Sequence, residues 1–142
     1  MTSIRKAFWG LPAFALAGML AGCSIDAVIW GPDGYKVIQA TESLVADLAA
    51  GENSDLLCAD FAADLGTAAD WSGRSAGEPE KFAARYWPDQ AELNPQWSIN
   101  LEGLPDGAVP GSDFPGDVFF READDGGLCV VDITWTTLVS VG

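Results

Sequence analysis

Hydrophobic residues along the chain change period several times, and each change marks a predicted element. From Ala7 to Met19 an almost uncharged apolar run follows Arg5 and Lys6. Val37, Ala40, Leu44, Val45 and Leu48 fall on one stripe at helical spacing, so the pattern predicts a helix over Val37–Ala50, stopped by Gly51. A second helix is expected from Ser54-Asp55 to Gly66, with Leu57, Cys58, Phe61 and Leu65 on its apolar face and Ser54 placed to cap it. Glu78 to Trp87 reads as a third, short helix, with Pro79 in its first turn and Pro88 preventing continuation. Between helices two and three, Thr67 to Ser75 holds a short strand or turn around Trp71.

The period then becomes two. Gln96–Glu102 alternates with Trp97, Ile99 and Leu101 on one face, and residues 103–116 read as a loop rich in glycine and proline. Asp117–Glu122 and Leu128–Val139 follow as strands, joined by the hairpin signal Asp124-Asp125-Gly126-Gly127. On the last strand Cys129, Val131, Ile133 and Trp135 share a face, so Cys58 on a helix and Cys129 on a strand predict a helix stapled onto a sheet. The expected class is α+β: two to three N-terminal helices packed on a curved antiparallel sheet of three to five strands.

The apolar run ends in Leu20-Ala21-Gly22-Cys23, a tetrapeptide that resembles the lipobox of bacterial lipoproteins. The resemblance implies cleavage between Gly22 and Cys23 and acylation of Cys23, palmitate being one such chain. The protein would then be anchored in the cell membrane on its extracytoplasmic side. The run is short for a span, which needs about 20 apolar residues, and Pro12 interrupts it. Residues 1–22 are thus expected to be a cleaved signal peptide, 23–36 a lipidated N-terminus and short tether, and 37–142 one domain. The tether carries Ile25, Val28, Ile29 and Trp30, too apolar for a plain linker. It either docks on the domain as an edge strand or rests at the membrane interface through Trp30.

Cleavage also changes the composition. Removing 22 of the 142 residues leaves 120, enough for one core, and takes two of the seven basic residues while leaving all twenty-one acidic ones. The mature side-chain balance is −16, which repels nucleic acid and anionic headgroups, so lipid rather than charge must hold the protein to a bilayer. Solubility accounts for this acidity, with cation binding or a basic partner as the functional alternatives. Cys58 and Cys129 become the one even pair of an exported chain and read as a disulfide. The loop from Cys58 through Cys129 spans 72 residues, and its closure is worth about 4 kcal/mol in the chain-entropy model.

The order of elements over residues 37–139 resembles the nuclear-transport-factor-2-like, cystatin-like α+β superfamily. Leu48-Ala49-Ala50-Gly51-Glu52 is similar to that family's link between its first two helices, and Gly77-Glu78-Pro79-Glu80-Lys81-Phe82 to the start of its third. The resemblance implies a curved sheet wrapped on a long helix around a pocket. Some members are isomerases, dehydratases or cyclases that pair an aspartate with a histidine or tyrosine. This chain contains no histidine, which removes histidine general bases, Ser-His-Asp triads and histidine-bearing zinc sites.

Remaining candidates are non-covalent. Trp71, Tyr86, Trp87, Trp97, Phe120 and Trp135 either line an apolar ligand pocket or fill the core. Arg74, Lys81 and Arg85 crowd into twelve positions as a patch for an anion or acidic partner, Lys81 and Arg85 sharing a helix face, or else pair with neighbouring acids. Asp113, Asp117, Asp124 and Asp125 are oxygen ligands of the kind calcium takes, but without EF-hand spacing, so no metal is expected. Asp60 and Asp64, one helical turn apart, are the paired carboxylates, with a solvated helix face as their simpler account. The expectation is a non-catalytic binding or accessory module without cofactor, held at the bilayer by acylated Cys23. It would meet a small apolar ligand or an envelope protein, and no nucleic acid. The alternatives are a small-molecule isomerase or dehydratase of the cone-shaped superfamily and a protein-interaction module.

Overall fold

The structure is a computed structural model that describes residues 25–140. The expected signal peptide and the cleavage and acylation site at Gly22 and Cys23 lie outside the described residues. Among the described residues the fold is α+β, with one long helix, α1 (Ile25–Ala49), and four strands, β1 (Ser75–Lys81), β2 (Trp97–Glu102), β3 (Asp113–Glu122) and β4 (Leu128–Thr137). The strands form an antiparallel meander in sequence order. Fewer helices form than the pattern predicts.

The expected stripe over residues 37–50 is the buried side of α1, where Val37, Ile38, Thr41, Leu44, Val45 and Leu48 face the sheet. Thr41 is fully buried, and its hydroxyl donates to the Val37 carbonyl at 2.8 Å. The helix ends in a Schellman arrangement: Glu52 N–H donates to Asp47 C=O, Gly51 N–H to Leu48 C=O, and Gly51 takes φ +77°. At its other end α1 starts twelve residues earlier than the pattern predicts. The segment expected as a tether or edge strand is helical from Ile25, and is merged across a kink at Gly31 (φ 75°, ψ 172°). Only glycine tolerates that backbone readily, and Pro32 then opens the second piece with a pre-set φ.

Two further helices are corrected. Residues 54–66 make turns, not a helix. The Ser54 hydroxyl accepts from Leu56 N–H and the Asp64 carboxylate from Gly66 N–H, local bonds that compete with a helix. The decisive contact is with the outer edge of β4. Val130 N–H donates to Leu56 C=O at 2.7 Å and Cys58 N–H to Val130 C=O at 2.9 Å, a parallel bridge between Leu57 and Val130. A helix here would leave that edge unpaired. The Cys58–Cys129 disulfide therefore fastens an irregular edge segment to β4, rather than a helix to a sheet.

Glu78 does not start a helix either. The segment resembling a third-helix start, Gly77–Phe82, lies mostly in β1, an edge strand. Pro79 is tolerated there because its missing N–H falls at a register shift between Ala76 and Pro79. Glu78 N–H finds the Asn100 side chain at 2.8 Å instead. A Cβ at Gly34 would come within 2.8 Å of Trp30 Cβ, so the glycine makes room for Trp30 across the kink, while Pro79 of this strand lies at an ordinary contact distance of 3.5 Å. The stretch around Trp71, expected as strand or turn, is a one-turn helix, α2 (Ala68–Trp71), with Asp70 accepting from the Thr67 amide and hydroxyl.

In the sheet, Trp97, Ile99 and Leu101 share the helix-facing side as expected, with Val118 and Phe120 beside them. Strand β3 begins at Asp113, inside the expected loop. The expected common face of β4 is split by a bulge, where Phe119 pairs with Asp132 and Phe120 with Val130. The extra residue, Val131, packs with Phe119 and Cys58 on the far side, while Val130 and Ile133 both join the core under α1.

Candidate functional site

The best-formed cleft lies where the first turns of α1 after Gly31 pass over the β3–β4 hairpin end of the sheet. It encloses about 280 Å³. Its apolar floor is Ala40 from α1, Leu56 from the edge segment, Trp97 from β2 and Leu128 from β4, with Asp33, Lys36 and Glu122 at the rim. A depression of about 350 Å³ continues from it past Trp97 to Lys81, Phe82 and Pro95. Another, of about 530 Å³, continues past Leu56 and Glu122 along the disulfide edge. The volume of the first is at the lower limit of small-molecule sites. It suits a compact amphipathic ligand or one anchoring side chain of a partner.

The predicted aromatic set does not meet in one pocket. Trp97 alone of the set lines this cleft. Phe120 is fully buried under α1. Trp71 is 1% exposed and its indole N–H donates to Leu65 C=O at 2.7 Å, and the Trp135 indole N–H donates to Asp64 C=O. Trp87 packs edge-on against Phe119 on the opposite face, with ring centroids 4.9 Å apart. Tyr86 is exposed beneath the Arg85 guanidinium.

Nor do the three cations form a patch. Arg74 is buried, and desolvation pulls its pKa below the ordinary guanidinium value. The β2–β3 ladder stops at Asn100 opposite Asp117. Beyond it Arg74 stands between the strands, donating to Pro115 C=O at 2.6 Å and, at 3.4 Å, to the Leu101 and Glu102 carbonyls. Phe114 packs against its guanidinium, 4.9 Å from the ring centroid. Lys81 ends β1 beside the cleft's extension, and Arg85 lies in the turns after it, so the two share no helix face.

Asp124 lines the depression along the disulfide edge, and the other acidic candidates are engaged internally. Asp60 pairs with Arg121 at 2.7 Å, and that hydrogen bond holds its carboxyl below the usual range. Asp64 caps Gly66, Asp113 accepts from the Thr137 hydroxyl at 2.6 Å, and Asp125 accepts from Gly127 N–H. Asp117, half-buried on β3, is pushed up by desolvation and by the Glu80 charge, against a hydrogen bond from Thr134. Among the described residues no group of three or more cysteines and carboxylates is arranged to hold a metal ion.

Asp33, Lys36, Leu56, Glu122 and Leu128 are site residues that sequence reasoning missed. Each is ordinary in its own segment, and only the tertiary crossing of α1 over the hairpin end assembles them. Comparison with models of protein families, with curated proteins and with solved structures returns no match. Among the described residues no helix is long and apolar enough to cross a membrane.

Proposed function

We propose that the chain is an extracytoplasmic lipoprotein, anchored through acylated Cys23, that works as a non-catalytic binding or accessory module. The observation carrying this reading is Leu20-Ala21-Gly22-Cys23 at the end of an apolar run that follows Arg5 and Lys6. The Cys58–Cys129 disulfide fits an oxidising compartment. Within the domain, the cleft at Trp97 is the binding site, because its floor is apolar and both charge signs stand at its rim. Asp60, Asp113 and buried Arg74 serve internal bonds, which favours a structural role for them over acid–base chemistry.

Fractionation of cells expressing the wild type and Cys23→Ser tests the anchor. Wild type partitions with the membrane and takes up radiolabelled palmitate, while Cys23→Ser stays unlabelled at that position and leaves the membrane. Native mass spectrometry of the detergent-solubilised protein tests the cleft. A retained small molecule or partner lost in Trp97→Ala supports the reading, and retention unchanged by that substitution contradicts the placement.

A further inference from the structure

The helix α1 carries two apolar stripes separated by the kink at Gly31. The one after the kink is the core. The one before it consists of Ile25, Val28 and Ile29, at i, i+3 and i+4, and these are 72%, 82% and 62% exposed. Trp30 turns the other way and packs against the core cluster. Three branched aliphatics held on one side of an ordered helix, in water, is a costly arrangement for a soluble surface.

We infer that this stripe lies in the headgroup–acyl boundary of the leaflet that holds Cys23. The inference rests on the lipoprotein reading and extends it: the first turns of α1 are a second, protein-built membrane contact, not a loose tether. Chain length is the first argument. Two residue steps separate Cys23 from Ile25, and fully extended they span at most about 7 Å, so the stripe starts within reach of the headgroups. Size is the second, because three side chains fall far short of the roughly 800 Å² that each partner commits to a stable protein interface. Charge is the third. The segment Ile25–Trp30 carries Asp26 and no basic residue, so insertion must be driven by apolar burial beside the covalent anchor, without help from anionic lipid. A helix set against the bilayer in this way brings the cleft, which Asp33 and Lys36 border one to two turns later, close to the membrane surface.

The test uses the full mature protein, purified with its anchor and reconstituted in phosphatidylcholine vesicles. The photoreactive residue benzoylphenylalanine is placed at Val28, at Ile29, or at Gln39, an exposed position on the core-packed part of α1. Positions 28 and 29 are open enough for the substitution to leave the fold intact, which an unchanged Tm verifies. Lipid adducts are expected at 28 and 29 in at least about fivefold excess over 39. Acylated protein with equal yields at all three positions, or with adducts to a second copy instead of lipid, overturns this inference alone. A mass spectrum without acyl chains on Cys23 overturns both it and the lipoprotein reading.

Discussion

On one face of the sheet α1 lays Val37, Leu44 and Val45 among Ile99, Val118, Phe120 and Val130. On the other, Phe119 and Val131 are covered by irregular chain, with Phe82 and Trp87 edge-on to Phe119 and a disulfide from Cys58 to Cys129. A helix covers its face because one periodic stripe supplies many contacts for one element's worth of ordering. Chain without a period has to be pinned point by point. Here the pins are the two hydrogen bonds to Val130, the Asp60–Arg121 pair and the covalent bond.

The comparison predicts where stability resides. Replacing Cys58 and Cys129 together with serine should cost about 4 kcal/mol, the largest single effect, because the bond closes a long loop and secures the face that has no helix. Urea denaturation measures it, and hydrogen exchange should show protection lost first around 56–61 and 82–93 while α1 keeps its own. Equal loss over both faces would break the distinction. Leu44→Ala on the helix face should cost about 3 kcal/mol by opening a cavity under a rigid element. Hydrogen exchange in that variant should rise over the whole domain.

Arg74→Met should cost about 2 kcal/mol, since it leaves buried carbonyls of β2 and β3 without their donor. The same variant would be nearly silent if Arg74 belonged to a surface patch, so its urea midpoint separates the two placements. Asp117→Asn is the smallest effect and has the opposite sign. The folded pKa of Asp117 lies above its ordinary 3.8, so between those values the native state binds more protons than the unfolded one. Its ionisation therefore removes stability as pH rises through that window. The asparagine variant should melt about 1–3 °C higher at pH 7 and at the wild-type temperature at pH 3, by calorimetry.

The same contrast explains what was legible in the sequence. The helix face was readable because Val37 to Leu48 repeat at helical spacing and Trp97 to Leu101 alternate. The pinned side was not. Leu57, Cys58, Phe61 and Leu65 have helical spacing by coincidence: Leu57, Phe61 and Leu65 pack against the core under α1, Cys58 joins the far-side cluster, and the segment is held by a bridge from Leu57 to Val130, a partner far away in sequence that no local pattern reveals. Strand β1 reads Ser-Ala-Gly-Glu-Pro-Glu-Lys, with no alternation to announce it, and Pro79 signals a helix start and an edge strand equally well. The bulge at Val131 shifts Ile133 to the opposite face from the one its spacing predicts. The cleft at Trp97 depends on all of these placements together, and only Trp97 of its lining was legible in the sequence as a pocket residue.

One measurement reaches the anchor and the pinned face together: the intact mass of the mature protein, taken from membranes without reduction. The account predicts a chain beginning at Cys23, carrying acyl mass on that residue and lacking the two thiol hydrogens of Cys58 and Cys129. A chain that retains residues 1–22, or an unmodified Cys23 with both downstream thiols free, would contradict it.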